Sequence, residues 1–331
     1  MKVDYKKKIE RVETDHQQVL TDRCIEKMEE CEATNWDKPW FTCSHLPFNP
    51  VSGTDYKGAN VVSLLLPQFP DPRFLTYNNA QELARKEGRD IHVKKGAKGF
   101  PVFKAVQRTF GAKGDRAEDE ADSSRTIWTR AFAGIVFNAS QIEGLEPWEA
   151  PTRNFEPYAE VELLSKALQA RSGLVVEHSE VGRAYFSPSE NKVHMPHMDR
   201  FKSREAYADT LMHEFGHSTG LPLKRDLTGG KGSAAYAFEE LVAELSSMFM
   251  SAGLGIPHDP KSHENHAVYM KGWLGALKND KTFIFKAAGQ ASKACEFQME
   301  HLREYKAELL VEKLTDKMKL PSKEQELKMT M

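Results

Sequence analysis

Residues 213–217 read HEFGH, an HExxH motif, and this motif constrains the fold more than any other feature of the chain. Residues four apart on a helix lie on one face, so both imidazoles can reach one metal ion while Glu214 lies beside the open coordination position. Apolar residues recur through the segment with helical spacing. We therefore predict a buried helix that begins after a Ser203 cap and ends near Ser218.

A catalytic zinc site usually has three protein ligands, so a third ligand is needed. The next long helix is predicted over residues 235–252, with Gly253 as its stop, and it contains Glu239, Glu240 and Glu244. Glu240 and Glu244 share one face at i, i+4 spacing. We predict Glu240 as the third ligand and Glu244 as a hydrogen-bond acceptor for a ligand histidine, whereas Glu239 is expected to point away. The alternative is a solvated acidic face and a structural histidine pair.

The predicted site holds one Zn²⁺ per chain through His213, His217 and Glu240, with Glu214 as the catalytic base. Zinc lowers the pKa of bound water and polarises a carbonyl, which makes peptide hydrolysis the natural reaction. A purely structural zinc site has no use for a carboxylate beside the open position. This consideration favours a zinc-dependent metallopeptidase, although a non-catalytic zinc site stays open as an alternative.

The chain has 331 residues, about twice the usual length of one domain, and its patterns predict an α+β protein. The proline-rich stretch 146–157 has the composition of a linker. The predicted segments are an N-terminal amphipathic helix (1–35) that docks on the following domain, an α+β domain (36–150), a mainly helical domain that carries the HExxH motif (151–310), and a helical or frayed tail (311–331).

Short apolar runs separated by turn residues predict a strand-rich N-terminal half. The predicted strands are 61–66, 99–106 and 132–138. A helix is expected over 79–87, capped by Asn78 or Asn79 and ended by Gly88, and the charged stretch 111–125 is expected to be a mobile hairpin loop. In the second half we expect a helix over 159–170, a strand over 174–177, and a hairpin that pairs 183–187 with 192–195.

The apolar runs, the N-terminal segment and the cysteines suggest a cytoplasmic location. No run reaches 18 apolar residues, and the charged N-terminus lacks the apolar core of a signal peptide. Four cysteines without a CxxC pair indicate reduced thiols. The formal net charge of -2 gives no global basic field, so a nucleic-acid site requires a local patch.

Such a patch lies between residues 89 and 113, where seven lysines and arginines stand against one acid and phenylalanines are interspersed. Single-strand binders combine a basic groove with aromatic rings on which bases stack. The alternative is that the phenylalanines are core residues and the lysines a solvated face. The candidate DNA-binding residues are Lys94, Lys95, Lys98, Arg89, Lys57, Tyr56, Tyr77 and Phe100.

The segments HEFGHSTG (213–220) and YAFEELVAEL (236–245) resemble the zincin-type metallopeptidase domain of ArdC antirestriction proteins, and more distantly the ImmA/IrrE-like metallopeptidases. The resemblance covers about residues 36–300. Further segments resemble successive motifs of the same family: 49–50, 56–60, 74–81, 94–99, 136–145 and 269–279. Three features depart from it, namely the acidic insertion at 118–122, the Leu221-Pro222 loop and the tail after about Leu309.

The resemblance implies a mobile-element protein that binds single-stranded DNA through its N-terminal domain and protects incoming DNA from restriction. The expected partners are single-stranded DNA and a host restriction or regulatory protein as a peptidase substrate, with no membrane. Two alternatives remain open. The chain protects DNA by occupancy alone with a non-catalytic zinc, or it is an ImmA-like protease that cleaves a repressor and is indifferent to DNA.

Overall fold

The computed structural model confirms a mixed α+β fold. It describes residues 14–33, 45–110, 125–149, 157–180, 182–201, 203–230, 233–256 and 266–319. The helices in these ranges are α1 (His16–Ala33), α2 (Ala59–Leu65), α3 (Tyr77–Glu87), α4 (Pro157–Ser172), α5 (Arg204–Ser218), α6 (Ala234–Leu254), α7 (His266–Asn279) and α8 (Phe283–Lys319). The strands are β1 (Phe48–Asn49), β2 (Thr54–Asp55), β3 (Phe74–Thr76), β4 (His92–Val93), β5 (Phe100–Phe110), β6 (Arg125–Asn138), β7 (Ile142–Glu143), β8 (Val175–Ser179), β9 (Tyr185–Ser187) and β10 (Lys192–Pro196).

The N-terminal half is built around the antiparallel pair β5 and β6. The pairing runs from Phe100 opposite Val136 to Phe110 opposite Arg125, and the register shifts between Val102 and Phe103. β3 adds to the other edge of β6, which gives the order β3-β6-β5. The predicted strands at 99–106 and 132–138 therefore lie in one sheet. Residues 111–124 of the loop predicted over 111–125 lie outside the described residues, and Arg125 belongs to β6.

The prediction of a strand over 61–66 is wrong, because Ala59–Leu65 forms helix α2. Its apolar side chains are buried around the whole circumference of the helix, so no polar face reveals a helical period. A short, continuous apolar run does not distinguish a buried strand from a buried helix. The Asn60 side chain ties α2 to β5, since it accepts from the Phe103 N–H and donates to the Phe103 carbonyl.

Helix α3 confirms the predicted helix near 79–87, with a different cap. Thr76 is the N-cap: its hydroxyl accepts from the Asn79 N–H, and the Asn79 side chain accepts from the Thr76 N–H. This reciprocal pair is a capping box, so Asn79 is the partner of the cap and not the cap itself. Gly88 ends the helix in the left-handed conformation, as predicted.

The C-terminal half carries a small sheet of order β8-β10-β9, in which β10 runs parallel to β8 and antiparallel to β9. The predicted hairpin and the helices near 159–170 and 203–218 are confirmed. Helix α6 continues past the predicted stop at Gly253, and Gly255 ends it with a φ of 69°. Gly253 lies inside the helix, since one glycine is only about 1 kcal/mol less favourable there than alanine and does not by itself end a helix.

Helix α1 contacts both halves of the chain. The His16 ring stacks on Phe132 of β6, and the Thr21 hydroxyl donates to the Lys281 carbonyl between α7 and α8. One apolar cluster includes Leu20 of α1, residues of α2, and the buried faces of α4 to α8. Helix α1, the described part of the predicted helix 1–35, therefore packs against more than the domain that follows it, and the division at residue 150 remains a prediction.

Leu20→Ala should test how strongly α1 is integrated. Leu20 is fully buried in the shared cluster, so its truncation should cost about 2–5 kcal/mol of unfolding free energy. The measurement is the midpoint of urea unfolding. The matched control is Leu310→Ala on α8, where the side chain is 59% exposed and the change should stay within about 0.5 kcal/mol. Equal midpoints for the two variants would contradict docking of α1 on the core.

Across the described ranges, no helix combines the length and the apolar character needed to cross a membrane.

Candidate metal centre

Helices α5 and α6 approach closely at Gly216, and this approach brings the HExxH motif to the acidic residues of α6. A Cβ atom at Gly216 would lie 3.0 Å from the Cα of Ala243 and 3.1 Å from its carbonyl oxygen. Backbone atoms cannot give way as a flexible side chain can, so the glycine permits this helix spacing. Ser203 and Ser233 cap the two helices, each accepting a backbone N–H three residues later at 3.1 Å.

The side chains of His213, His217 and Glu240 converge between the two helices. Their potential ligand atoms all lie within 4.8 Å of one another. The two Nε2 atoms are 3.1 Å apart, and the Glu240 oxygens lie 3.5 Å from His213 Nε2 and 3.7 Å from His217 Nε2. The structure thus brings the three predicted ligands together, whereas their roles as ligands remain a prediction.

This donor set fits a divalent metal ion such as zinc. Ligand atoms bound to tetrahedral zinc at about 2.0–2.1 Å stand roughly 3.3–3.4 Å from each other. The observed separations of 3.1, 3.5 and 3.7 Å bracket that spacing. Two imidazoles and one carboxylate are a donor set of catalytic zinc sites, in which a fourth position stays open.

Glu214 is buried and lines the same cleft, which has a volume of about 390 Å³. The cleft is lined by Tyr185 and Phe186 of β9, by Leu227 and by the start of α6. The backbone N–H of Phe186 donates to Glu214. Burial nevertheless raises the pKa of Glu214 above its ordinary value, against the attraction of the two histidines. A carboxyl with a raised pKa is suited to exchange protons.

Each histidine has a carboxylate at its other ring nitrogen. Glu244 Oε2 lies 3.6 Å from His213 Nδ1, near the position predicted for it. Glu239 Oε1 lies 3.2 Å from His217 Nδ1 and accepts its hydrogen. The expectation that Glu239 points away is therefore wrong. The reason is that the loop before α6 provides a cation, Arg225, that holds this carboxylate on the histidine side of the helix.

The site is strongly acidic, because four buried glutamates face one guanidinium. Burial alone would lower the pKa of His213, but Glu240 and Glu244 raise it to about 10. Burial would raise the pKa of Glu240, but His213 and His217 lower it to about 2. The Glu239 pKa is also lowered, since the effects of His217 and Arg225 exceed the effect of burial. The lowered pKa values keep Glu239 and Glu240 ionised, and the excess of buried carboxylates over cationic side chains favours a cation between the helices.

Sequence reasoning missed three residues around the site: Arg225, Glu239 and Tyr236. The Tyr236 side chain hydrogen-bonds to Glu240 and contributes to its lowered pKa. Tyr236 precedes Glu240 by four residues, so helical spacing contained a usable signal. Arg225 lies in a loop rich in glycine and charge, and no periodic pattern identifies its partner.

The predicted DNA-binding residues do not form one uniform surface. Lys95 and Lys98 are exposed, and Lys94 donates to the Ser140 carbonyl at 3.0 Å. Tyr77 is 53% exposed and lines a groove of about 400 Å³ between α3 and β4. Arg89 binds Glu146 at 2.7 Å. Lys95, Lys98 and Tyr77 are therefore exposed, Lys94 and Arg89 have protein partners, and the role of all five in DNA binding stays a prediction.

Phe100 and Tyr56 differ from their predicted roles, whereas Lys57 stays on the surface with its side chain 69% exposed. Phe100 is buried among other phenylalanines, with the Arg23 guanidinium 5.2 Å from its ring centre, so no base can stack on it in this conformation. The Tyr56 hydroxyl donates to the Phe74 carbonyl, and its ring packs on the same cluster. Lys57 pairs with Glu296 of α8 at 2.5 Å. The burial of Phe100 agrees with the part of the alternative interpretation that assigns the phenylalanines to the core.

Two family models match the chain, one in its N-terminal half and one in its C-terminal half. Residues 14–137 match the N-terminal domain of anti-restriction factor ArdC, and residues 164–290 match a zincin-like metallopeptidase. The helix pair with HExxH and the preceding α+β region are thus a zincin-like domain behind an ArdC-type N-terminal domain.

Solved structures and curated relatives agree with this assignment. The metal-free antirestriction ArdC protein from the R388 plasmid superposes with a TM-score of 0.64 at 32% identity, over 88% of this chain and 99% of that one. The Mn(II)-bound structure of the same protein superposes with a TM-score of 0.60 at 32% identity, over 87% of this chain and 98% of that one. Protein y4eC of Sinorhizobium fredii is 32% identical over 86% of this chain and 91% of its own length. The chain therefore belongs to the ArdC family of antirestriction proteins, as its motifs predicted.

Longer proteins contain a similar region. Two Escherichia coli proteins named DNA primase TraC are 37% and 34% identical over 85% and 83% of this chain. The chain spans only 27% and 19% of their lengths.

Proposed function

We propose that the chain is an antirestriction protein that binds single-stranded DNA and carries a zinc-dependent peptidase site. The observation that carries the peptidase part is the convergence of His213, His217 and Glu240 beside a buried Glu214 in an open cleft. The Mn(II)-bound structure of the R388 ArdC protein also supports the binding of a divalent metal ion by this chain. We propose one zinc ion per chain, held by these three side chains.

Bound zinc would supply a polarised carbonyl and a water of lowered pKa. The chain's own residues would do the rest. Glu214 takes the proton of the attacking water and returns it to the leaving amine, a role for which its raised pKa is suited. Glu239 and Glu244 hold the histidine rings, and the cleft between β9 and α6 receives the peptide. The peptide substrate would be a host restriction or regulatory protein.

For DNA, we propose a surface on the N-terminal half that includes Lys94, Lys95, Lys98 and Tyr77. Exposed lysines contact phosphates, and an exposed tyrosine offers a face on which a base stacks. Support for a DNA partner comes from the ArdC N-terminal model over residues 14–137. The strand would be part of an incoming mobile element in the host cytoplasm.

The Glu214→Gln variant distinguishes protection through peptide hydrolysis from protection by covering the DNA. The variant should keep its metal and its DNA affinity but lose proton transfer, which typically contributes about 10²–10⁴-fold to a rate. The measurement is the transfer of unmodified DNA into a restricting host that expresses each variant, with metal content determined in parallel. We expect protection to fall to the level of a host without the protein.

The matched control is Glu180→Gln, a surface carboxylate paired with Arg200. It should protect DNA as the wild type does. Full protection by Glu214→Gln would contradict the peptidase proposal and favour occupancy with a non-catalytic metal. Loss of a host repressor without any DNA affinity would favour the ImmA-like alternative.

A further inference from the structure

We propose that Arg225 is a positioning residue for the metal centre: it holds the Glu239 carboxylate, which in turn fixes the ring of His217. The inference rests on the proposed metal site and concerns how its geometry is maintained. Neither residue would touch the metal ion or a substrate.

Arg225 uses all three guanidinium nitrogens in hydrogen bonds. Its side chain is only 4% exposed, and that of Glu239 is 8% exposed. Nε donates to Glu239 Oε2 at 2.9 Å, and Nη2 donates to Glu239 Oε1 at 2.7 Å, which forms a two-point fork. Such a fork fixes the plane of the carboxylate as well as its position.

The same guanidinium reaches the helix that carries the histidines. Nη2 also donates to the Gly216 carbonyl, and Nη1 donates to the Thr219 hydroxyl, both at 2.7 Å. Gly216 lies within the HExxH motif, and Thr219 caps the C-terminal end of α5. Arg225 therefore connects the last turn of α5 to the first half of α6, the two segments whose spacing sets the distance between His217 and Glu240.

The fork also determines which ring nitrogen of His217 can bind a metal ion. A carboxylate held by a guanidinium is an acceptor, so the neighbouring Nδ1 carries the hydrogen. The lone pair of neutral His217 then lies on Nε2, the atom that faces His213 and Glu240. Without a fixed Glu239, the His217 ring is free to rotate or to adopt the other tautomer. Either change would take the Nε2 lone pair away from the metal ion.

The test uses Glu239→Gln and Arg225→Lys in the full chain. Glutamine keeps the shape of Glu239 and loses its charge, and lysine keeps the charge of Arg225 and loses the fork. We expect each variant to bind Zn²⁺ about 10–100-fold more weakly than the wild type, the usual effect of losing a partner of a ligand histidine. The readout is competition with a chromophoric chelator. The d–d absorption bands of Co²⁺-loaded protein should also change, because they report ligand geometry.

The double variant distinguishes positioning from general damage. If Arg225 acts through Glu239, the double variant should bind zinc no more weakly than Glu239→Gln alone, whereas independent effects would add. Thermal melts with chelator present identify any variant that fails to fold. The matched controls are Glu180→Gln and Arg200→Lys, the same substitutions in an exposed pair, and they should retain wild-type affinity.

Two outcomes overturn the inference in distinguishable ways. Wild-type zinc affinity with unchanged cobalt bands in Glu239→Gln and Arg225→Lys would exclude positioning and leave the metal site intact. Additive losses in the double variant would show that Arg225 acts on the fold and not through Glu239. A wild-type protein that binds no divalent ion would instead refute the proposed function itself.

Discussion

His217→Ala should leave the purified protein without bound zinc. The variant removes one of three ligands from a site that keeps an open position, and two remaining donors cannot hold the ion against buffer. The loss should exceed the roughly 100-fold effect of disturbing an outer partner. Metal analysis of the purified protein after dialysis against metal-free buffer measures it directly, with about one zinc ion per chain expected for the wild type.

Substitutions of different glutamates on α6 should weaken zinc binding to different degrees. Glu240→Ala should match His217→Ala, because the Glu240 oxygens lie 3.5 and 3.7 Å from the two Nε2 atoms. Glu239→Ala should cause a smaller loss, since Glu239 reaches only the Nδ1 side of His217. The control is His92→Ala, because His92 is half exposed on β4 and pairs with Asp90 and Glu143 in the N-terminal half. Full zinc occupancy in His217→Ala would refute the ligand assignment.

Much of this centre follows from spacing within helices. HExxH fixed the pair His213 and His217, and i, i+4 spacing related Glu240 to Glu244, since both relations depend only on helix geometry. The role of Glu239 did not follow. Glu239 is one residue away from Glu240 and therefore lies about 100° around the helix. Its carboxylate contacts His217 where Arg225 holds it. Contacts between a loop and a helix depend on tertiary structure, which periodicity does not contain.

The same limit applies to the fold. The α5 helix was predictable because Ser203 and the apolar stripe agree, and β5 and β6 because their apolar runs stand between turn residues. Helix α2 was predicted as a strand because it is buried on every side. The position of α1, whose Leu20 enters a cluster formed mostly by distant helices, depends on contacts across the whole chain.

The shared cluster also changes how DNA binding should be tested. A fragment that ends near residue 150 would expose apolar residues of α1 and α2 that pack on α4 to α8. Loss of binding by such a fragment would reflect misfolding as readily as a missing contact. The full chain is therefore the appropriate material, and substitutions on the exposed surface are the appropriate change.

Replacing Lys94, Lys95 and Lys98 together with alanine should weaken binding to single-stranded oligonucleotides and flatten its salt dependence. Each phosphate contact contributes roughly 0.7 to the slope of log affinity against log salt for single strands, so three contacts contribute about 2. Little sequence preference and weaker binding to duplex are expected, because stacking requires exposed base faces. Fluorescence anisotropy over a salt series measures both the affinity and the slope.

The control is a triple alanine variant at Lys166, Lys293 and Lys313, three exposed lysines on α4 and α8. It changes the net charge equally, so a slope that falls only in the first variant indicates local contacts and not the overall charge. Glu214→Gln should bind DNA as the wild type does, because the cleft carries glutamates that would repel phosphate. An unchanged slope in the Lys94, Lys95 and Lys98 variant would place the strand on another surface, and loss of binding in Glu214→Gln would place it at the metal centre.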